Sequence, residues 1–151
     1  MEEKMYNFKR IGMNEIEIIK ELFINVFTRE PWNDEWSNQE QLDLYLFDLV
    51  GQNNSLTYGL FEDEQLVGVA MGHIKHWYSG TEYCIDELCI QTDKQGNGVG
   101  TFFLKEIEKG IKKIRLNQIF LQTESNVPAY GFYLKNGFYE LKEHVSFAKQ
   151  M

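Results

Sequence analysis

Between Asp93 and Gly110 the chain reads DKQGNGVGTFFLKEIEKG, with Gly96, Gly98 and Gly100 at alternate positions directly before an amphipathic run. A strand, a glycine loop and a helix start make an anion site. The first N–H groups of a helix have no intrahelical partner, and the helix dipole favours negative charge there. Glycine lets the backbone approach a ligand closely and adopt positive φ. The spacing G-x-G-x-G is not the G-x-G-x-x-G of a dinucleotide-binding βαβ unit. Nor is it a P-loop, because Thr101 and Phe102 follow Gly100 where Lys and Ser/Thr would be needed. A glycine-rich turn without a ligand is the competing reading of three glycines alone.

A second group of reactive side chains lies just upstream, in TEYCIDELCIQ. Asp86 and Glu87 are adjacent, so a regular strand sends one of them to each face, and a bulge would exchange the two. Cys89 is a conceivable covalent nucleophile, but no histidine lies near it in sequence and a buried, small hydrophobic role is expected. His73, His76 and His144 have no metal-ligand spacing with either cysteine, so no metal site is expected. Two further stretches combine acidic and aromatic residues. TREPWNDEW carries Glu30, Trp32, Asp34, Glu35 and Trp36, and KHWYSGTEY carries Trp77, Tyr78 and Glu82. Carboxylates beside aromatic rings suit a cation through Coulomb attraction and cation–π contact. The competing reading is a solvated helix start whose tryptophans pack on the core.

The elements that would position these residues are legible from periodicity. Met1 to Arg10 reads as a first strand. Asn14 is placed to cap a helix with Ile19, Leu22, Phe23 and Val26 on one face. Ser37-Asn38-Gln39-Glu40 has the form of a capping box ahead of Leu42, Tyr45, Leu46 and Leu49, and Gly51 to Asn54 ends that helix. SLTYGLFE and QLVGVAMGHIKHW are strands joined by a hairpin turn at Asp63-Glu64, and TEYCIDELCIQ is a third long strand. The helix after the glycine loop shows Leu104, Ile107, Ile111 and Ile114 on one face. QIFLQT reads as a short buried strand, VPAYGFYLKNG as a short helix ended by Asn136-Gly137, and FYELKEHVSFAK as one or two closing strands. The pattern predicts one α+β domain over residues 1–151, a mixed, mainly antiparallel sheet flanked by helices.

Composition narrows the function classes. A chain of 151 residues that is 43% hydrophobic and 15% aromatic can bury a core and folds rather than staying disordered. Fifteen basic and 23 acidic residues give a net charge of −8, which argues against general nucleic-acid binding and is compatible with a cationic substrate. No stretch approaches the roughly 20 apolar residues of a membrane span, and the polar start MEEKMYNFKR lacks a signal peptide's apolar core. Cys84 and Cys89 should face opposite sides of a regular strand, so a mutual disulfide is not expected. A reduced, cytoplasmic protein without membrane or nucleic-acid partners is the expectation.

Two separate motifs carry a resemblance to a known family. Gln95-Gly96-Asn97-Gly98-Val99-Gly100 resembles the Q/R-x-x-G-x-G/A loop of the GCN5-related N-acetyltransferases (GNAT), and ESNVPAYGFYLKNGF resembles the second motif of that family. The order of elements agrees over nearly the whole chain, and IDELCI resembles the family's fourth strand. The resemblance implies the GNAT fold and acetyl-CoA as co-substrate. Its pyrophosphate would lie on Gln95, Gly96, Asn97, Gly98, Val99, Gly100 and Thr101, and its pantetheine arm on Cys89, Ile90 and Asn126. Asn126 could equally be the N-cap of the following helix. Many relatives carry Arg where this chain has Gln95, so backbone N–H groups would do most of the gripping, with Lys94 as a possible helper.

The resemblance further implies Tyr133 as the acid that serves the departing thiolate, a phenol near pKa 10 being comparable to a thiol in basicity. Glu87 is the candidate base, with Asp86 in reserve, and a main-chain N–H around Cys89 or Ile90 is the expected oxyanion donor. The acceptor would lie against Trp32, Asp34, Glu35, Trp36, Trp77 and Tyr78. The implied reaction is direct attack, in a ternary complex, of a primary amine on the acetyl group. The amine would belong to a small cationic molecule, polyamine- or aminoglycoside-like. Acetylation of a protein N-terminus or lysine is the alternative within enzymes, and a non-catalytic acyl-CoA sensor is the alternative outside them. A homodimer accords with the family.

Overall fold

The computed structural model describes residues 5–151, so the first four residues of the strand expected over Met1 to Arg10 lie outside it. Five strands form one sheet in sequence order: β1 (Tyr6–Ile11), β2 (Ser55–Glu62), β3 (Gln65–Trp77), β4 (Gly80–Ile90) and β5 (Gln118–Leu121). The first three pairings are antiparallel and β4–β5 is parallel. Four helices complete the fold: α1 (Ile16–Phe27), α2 (Gln39–Val50), α3 (Val99–Lys113) and α4 (Pro128–Lys135). The expected α+β class, a mainly antiparallel sheet with flanking helices, is the one observed.

Helical spacing decides which sheet face each helix covers. The apolar stripes of α1 (Ile19, Leu22, Phe23, Val26) and α2 (Leu42, Leu46, Leu49) pack on Ile11, Phe61, Val69, Met71 and Cys89. The stripe of α3 (Phe103, Ile107, Ile111) packs on the opposite face, against Leu56, Leu60, Val67, Tyr83 and Ile85. Ile114, expected on the α3 stripe, is exposed beyond the helix end.

Local capping differs from expectation at two helices. Asn14 lies inside a short 3-10 turn, Met13–Glu15, and caps nothing; Glu15 instead bonds back to the Gly12 N–H. At α2 the cap is Asn38 rather than Ser37, its side chain accepting from the Gln41 N–H at 3.0 Å. An Asn side chain reaches the N–H of the second or third helical residue as well as a Ser does.

The far end of the chain is a larger correction. β5 is short and only half-buried, because no strand pairs with its outer edge among the described residues. The strands expected in FYELKEHVSFAK do not form. Lys142 and Glu143 occupy a turn in which the His144 N–H donates to Leu141 O at 3.0 Å, and the residues beyond it are exposed. Alternating apolar residues make a strand only when a ladder partner satisfies the backbone, and here none does.

Candidate active site

β4 and β5 run together for only four pairs, Glu82↔Gln118 to Ile85↔Leu121, and then part. On its other side β4 stays paired to β3 as far as Gly68↔Ile90. The last stretch of β4 therefore has one edge facing a gap. Gln91 N donates to Val67 O at 2.7 Å. The alternation of an antiparallel ladder then turns the N–H and C=O of Cys89 toward β3, and those of Leu88 and Ile90 toward the gap. Of the two oxyanion donors expected, the Ile90 N–H has this direction and the Cys89 N–H does not.

A bulge on β4 sets which side chains face the helices. Met71 is opposite Glu87 and Gly72 opposite Ile85, so Asp86 is the extra residue. Because of it Cys84, Glu87 and Cys89, which face His73, Met71 and Val69, share one side of the sheet. Cys84 and Cys89 are thus not on opposite faces as a regular strand would have them. Both are free thiols, five residues apart and so separated by roughly 15 Å. Burial raises both, Cys84 to about 11 and Cys89 further, so neither is a ready thiolate.

The glycine loop lies across the mouth of the gap. Gly96 and Gly98 have φ of +82° and +81°, the left-handed region that glycine occupies without strain. A Cβ at either would meet nothing within 4 Å, so the backbone there is bare toward solvent. At Gly100 the reason is different: a Cβ would come within 3.2 Å of the Phe132 ring, so this glycine lets α4 close on α3. No side chain caps α3, and its first N–H groups, at Val99, Gly100 and Thr101, lack intrahelical partners.

A cavity of about 400 Å³ joins these pieces. It is lined by Leu88, Cys89 and Ile90 of β4, by Gln95, Gly96, Gly98, Gly100 and Thr101, by Pro128, Ala129, Phe132, Tyr133 and Lys135 of α4, and by Pro31 and Trp32. Residues more than 100 positions apart thereby meet. Tyr133 is largely buried, and burial, then the negative charge that Cys89 and Glu87 can carry, holds its phenol well above the usual tyrosine range. The match to a thiol's basicity expected of Tyr133 therefore does not hold in the free protein.

Several of the expected residues do not offer their side chains to the cavity. The Gln95 side chain is spent on the strand end, donating to Ile90 O at 2.8 Å. Val99 is buried in the core and Asn97 is exposed, and neither lines the cavity. Asn126 is exposed, and α4 begins with Val127 as its cap and no side-chain cap bond, so the expected N-cap is not made. Lys94 lies 2.9 Å from Glu62 Oε2 and does not line the cavity. Among the described residues Lys135, not singled out in the sequence, is the cation that does.

Glu87 sits on the α1–α2 side of the sheet. Its Oε1 accepts a 2.5 Å hydrogen bond from the Tyr45 hydroxyl of α2. Burial raises the Glu87 carboxyl, Asp34 and Asp86 push it the same way, and the Tyr45 bond opposes them; the net direction is up. Asp34 is itself raised by partial burial and by Glu124. Asp86 is exposed at the bulge and lies 3.3 Å from His73 Nδ1. Trp36 is not a free aromatic wall: it stacks on Tyr45 at 5.4 Å and meets Phe23 edge-on. Trp32 packs on Phe27 but also reaches the cavity. Glu35 is exposed.

Trp77 and Tyr78 lie at the tip of the β3–β4 hairpin, with Lys75 over the Trp77 ring at 4.7 Å. Seven residues of β4 separate that tip from Glu87, roughly 20 Å. Glu82 is buried and accepts from Gln118 Nε2 at 3.0 Å. These residues are not brought to the cavity. Among the described residues no cluster of His, Cys, Asp and Glu has metal-binding geometry, and no helix is long and apolar enough to cross a membrane.

A family model described as the acetyltransferase (GNAT) family matches residues 16–138. Among solved structures the chain is similar to an aminoglycoside acetyltransferase from an uncultured soil metagenomic sample, in complex with sisomicin. The TM-score is 0.74 at 19% identity, over 97% of this chain and 96% of that one. It is also similar to AAC(6')-Iy in complex with the bisubstrate analogue CoA-S-monomethyl-acetylneamine, with a TM-score of 0.73 at 13% identity over 97% and 99% of the two chains. A predicted acetyltransferase with acetyl-CoA from Clostridium acetobutylicum gives 0.74 at 18% identity over 95% and 96%. No curated protein matches the chain. At such identities the likeness to these structures carries the fold.

Proposed function

The chain belongs to the GNAT acetyltransferase family, and we propose that it moves an acetyl group from acetyl-CoA to the primary amine of a small cationic molecule, polyamine- or aminoglycoside-like, by direct attack in a ternary complex. One observation carries this reading. The unprotected start of α3, the gap-facing edge of β4 at Leu88 and Ile90, and the Tyr133 phenol line a single cavity. That set suits an elongated ligand with a diphosphate at one end and an acyl thioester at the other.

The backbone N–H groups from Gly96 to Thr101 would hold the diphosphate, with Lys135 adding charge. Leu88 and Ile90 would pair with the amide-bearing arm as a neighbouring strand does. Bound acetyl-CoA supplies an activated thioester carbonyl. The Ile90 N–H, directed toward the gap, would donate to that oxygen as it gains charge. An attacking amine must first be neutral, and amines are mostly protonated near neutral pH. Glu87, raised by burial, would take that proton directly or through water. Tyr133 stays protonated, so it serves the departing sulfur chiefly by donating a hydrogen bond.

The substrate class rests on charge. Asp34 and Asp86 lie close enough to Glu87 to add to the effect of burial in raising its carboxyl, and Glu124 acts on Asp34 in turn. Such mutual repulsion is relieved by a bound cation. Trp32 is the aromatic wall in reach. Calorimetry with acetyl-CoA, followed by a thiol-release screen over polyamines, aminoglycosides, amino acids and lysine peptides, tests both halves. Release with the cationic amines is expected. Coenzyme binding without release for any acceptor would favour the sensor, and release only with peptides would favour protein acetylation.

A further inference from the structure

Tyr45 lies on the inward side of α2, one turn after Leu42 and one turn before Leu49. A phenylalanine would pack there equally well, so the hydroxyl is what needs a reason. It reaches β4, where it donates to Glu87 Oε1 at 2.5 Å. Both side chains are half-buried, and the residue opposite Glu87 on β3 is the apolar Met71. The Tyr45 ring is itself held by two others. The Trp36 indole stacks on it with ring centres 5.4 Å apart and planes 18° apart, and the Phe23 ring lies 6.0 Å away at 56°. The indole N–H of Trp36 is buried without a hydrogen-bond partner in the protein, so ring contact rather than a polar bond places the indole.

We propose that Trp36 and Tyr45 are positioning residues for Glu87: the indole holds the phenol ring, and the phenol holds one carboxyl oxygen so that the other meets the acceptor amine. This rests on the reading of Glu87 as the base. The proton leaves the ammonium for Oε2, directly or through water, so the amine becomes neutral and the carboxylate a neutral acid. Tyr45 keeps its own proton throughout, because burial, then the bond to Glu87, holds its phenol well above the usual tyrosine range. A donor that is never lost favours the carboxylate over the acid. The pair also ties the base to the segment between α1 and α2, where Trp36 sits. None of Trp36, Tyr45 and Glu87 lines the coenzyme cavity, so the pair acts on the base and not on the coenzyme.

The other titratable groups around Glu87 are Asp34 ahead of α2, Asp86 and Cys89 on β4, and Tyr133 of α4, with His73 of β3 paired to Asp86. All of them stay in place in the variants that test the pair. Tyr45→Phe keeps the stack and removes the donor. A carbon-13 NMR titration of the Glu87 carboxyl in the free protein should show its midpoint move to higher pH, because the bond that favours the charged form is gone. The acid limb of the kcat/KM profile should move the same way, and kcat should fall by about 10- to 100-fold. Calorimetry should find acetyl-CoA affinity unchanged. Trp36→Leu keeps the hydroxyl and removes the stack, so the midpoint should move in the same direction by less, with kcat down by about tenfold or less. Trp36→Phe, which leaves a smaller ring on Tyr45, should lie between Trp36→Leu and the wild type. Circular dichroism checks the fold of each.

An unmoved midpoint in Tyr45→Phe overturns the role of Tyr45. A midpoint moved by Tyr45→Phe and by neither Trp36 variant overturns the role of Trp36. Full turnover in Glu87→Gln would instead overturn the reading of Glu87, wherever the midpoints lie.

Discussion

At the start of α3, consecutive residues from Gly96 to Thr101 offer main-chain N–H groups beside the cavity; on the α1–α2 side of the sheet, Asp34, Tyr45 and Glu87 come from a loop, a helix and a strand, and none of these three lines the cavity. The first side is local. Its geometry follows from glycine's freedom and from the orphan donors of a helix start, and no side chain need be placed with care. The second side is assembled. Its central carboxylate is aimed by a bulge, raised by burial and held by a hydroxyl 42 residues away in sequence. The local side should therefore fail all at once when its backbone is disturbed, and the assembled side should fail by degrees.

The sharpest break is Gly98→Asp. It forces a non-glycine residue to φ +81° and sets a carboxylate where phosphates would lie. Calorimetry should find coenzyme affinity down by roughly 100-fold or more, about 3 kcal/mol. Retained affinity would remove the phosphates from this loop. Next is Glu87→Gln, expected to lower kcat by about 100- to 10,000-fold with coenzyme affinity unchanged. Because the carboxyl is raised, the acid limb of the wild-type kcat/KM profile should lie above the usual glutamate value of about 4.3 and be absent in the variant. Loss of coenzyme binding in this variant would merge the two sides.

Tyr133→Phe should cost about 10- to 1000-fold in kcat, since it removes one donor and leaves the packing against Phe132 and Phe138 in place. Unchanged turnover would remove Tyr133 from the reaction. Lys135→Ala should weaken coenzyme binding by about tenfold or less, with the loss shrinking at higher salt. The smallest expected effect is that of Trp77→Ala, within about twofold in every kinetic constant, since the hairpin tip lies roughly 20 Å along β4 from Glu87. A large rise in KM there would show that the acceptor site extends far beyond the cavity.

The two sides were not equally legible. The glycine loop and the YGFYLKNGF helix declare themselves in short contiguous stretches, because φ preference and capping act over a few residues. Glu87 could be named but not aimed: parity along a strand is lost at one bulge, and nothing in the residues around Asp86 marks it as the extra one. Tyr45 read as one more apolar position on an amphipathic helix, since an aromatic stripe has the same spacing whether or not its hydroxyl meets a carboxylate. Lys135 was hidden for the opposite reason, as a lysine near a helix C-terminus needs no ligand to explain it. Trp36 and Trp77 share a composition and differ only in place, one stacked on Tyr45 and one at a hairpin tip.

The amino-acid order alone determined the α+β class, the succession of helices and strands as far as α4, and the glycine-rich turn ahead of α3, because hydrophobic period, glycine torsions and helix starts depend on near neighbours. Only the folded chain decided that β4 and β5 part after Ile85, that Asp86 turns Glu87 toward α2, and that the end of the chain finds no strand to pair with. Those outcomes depend on contacts between residues tens of positions apart, where each partner's environment is supplied by the other.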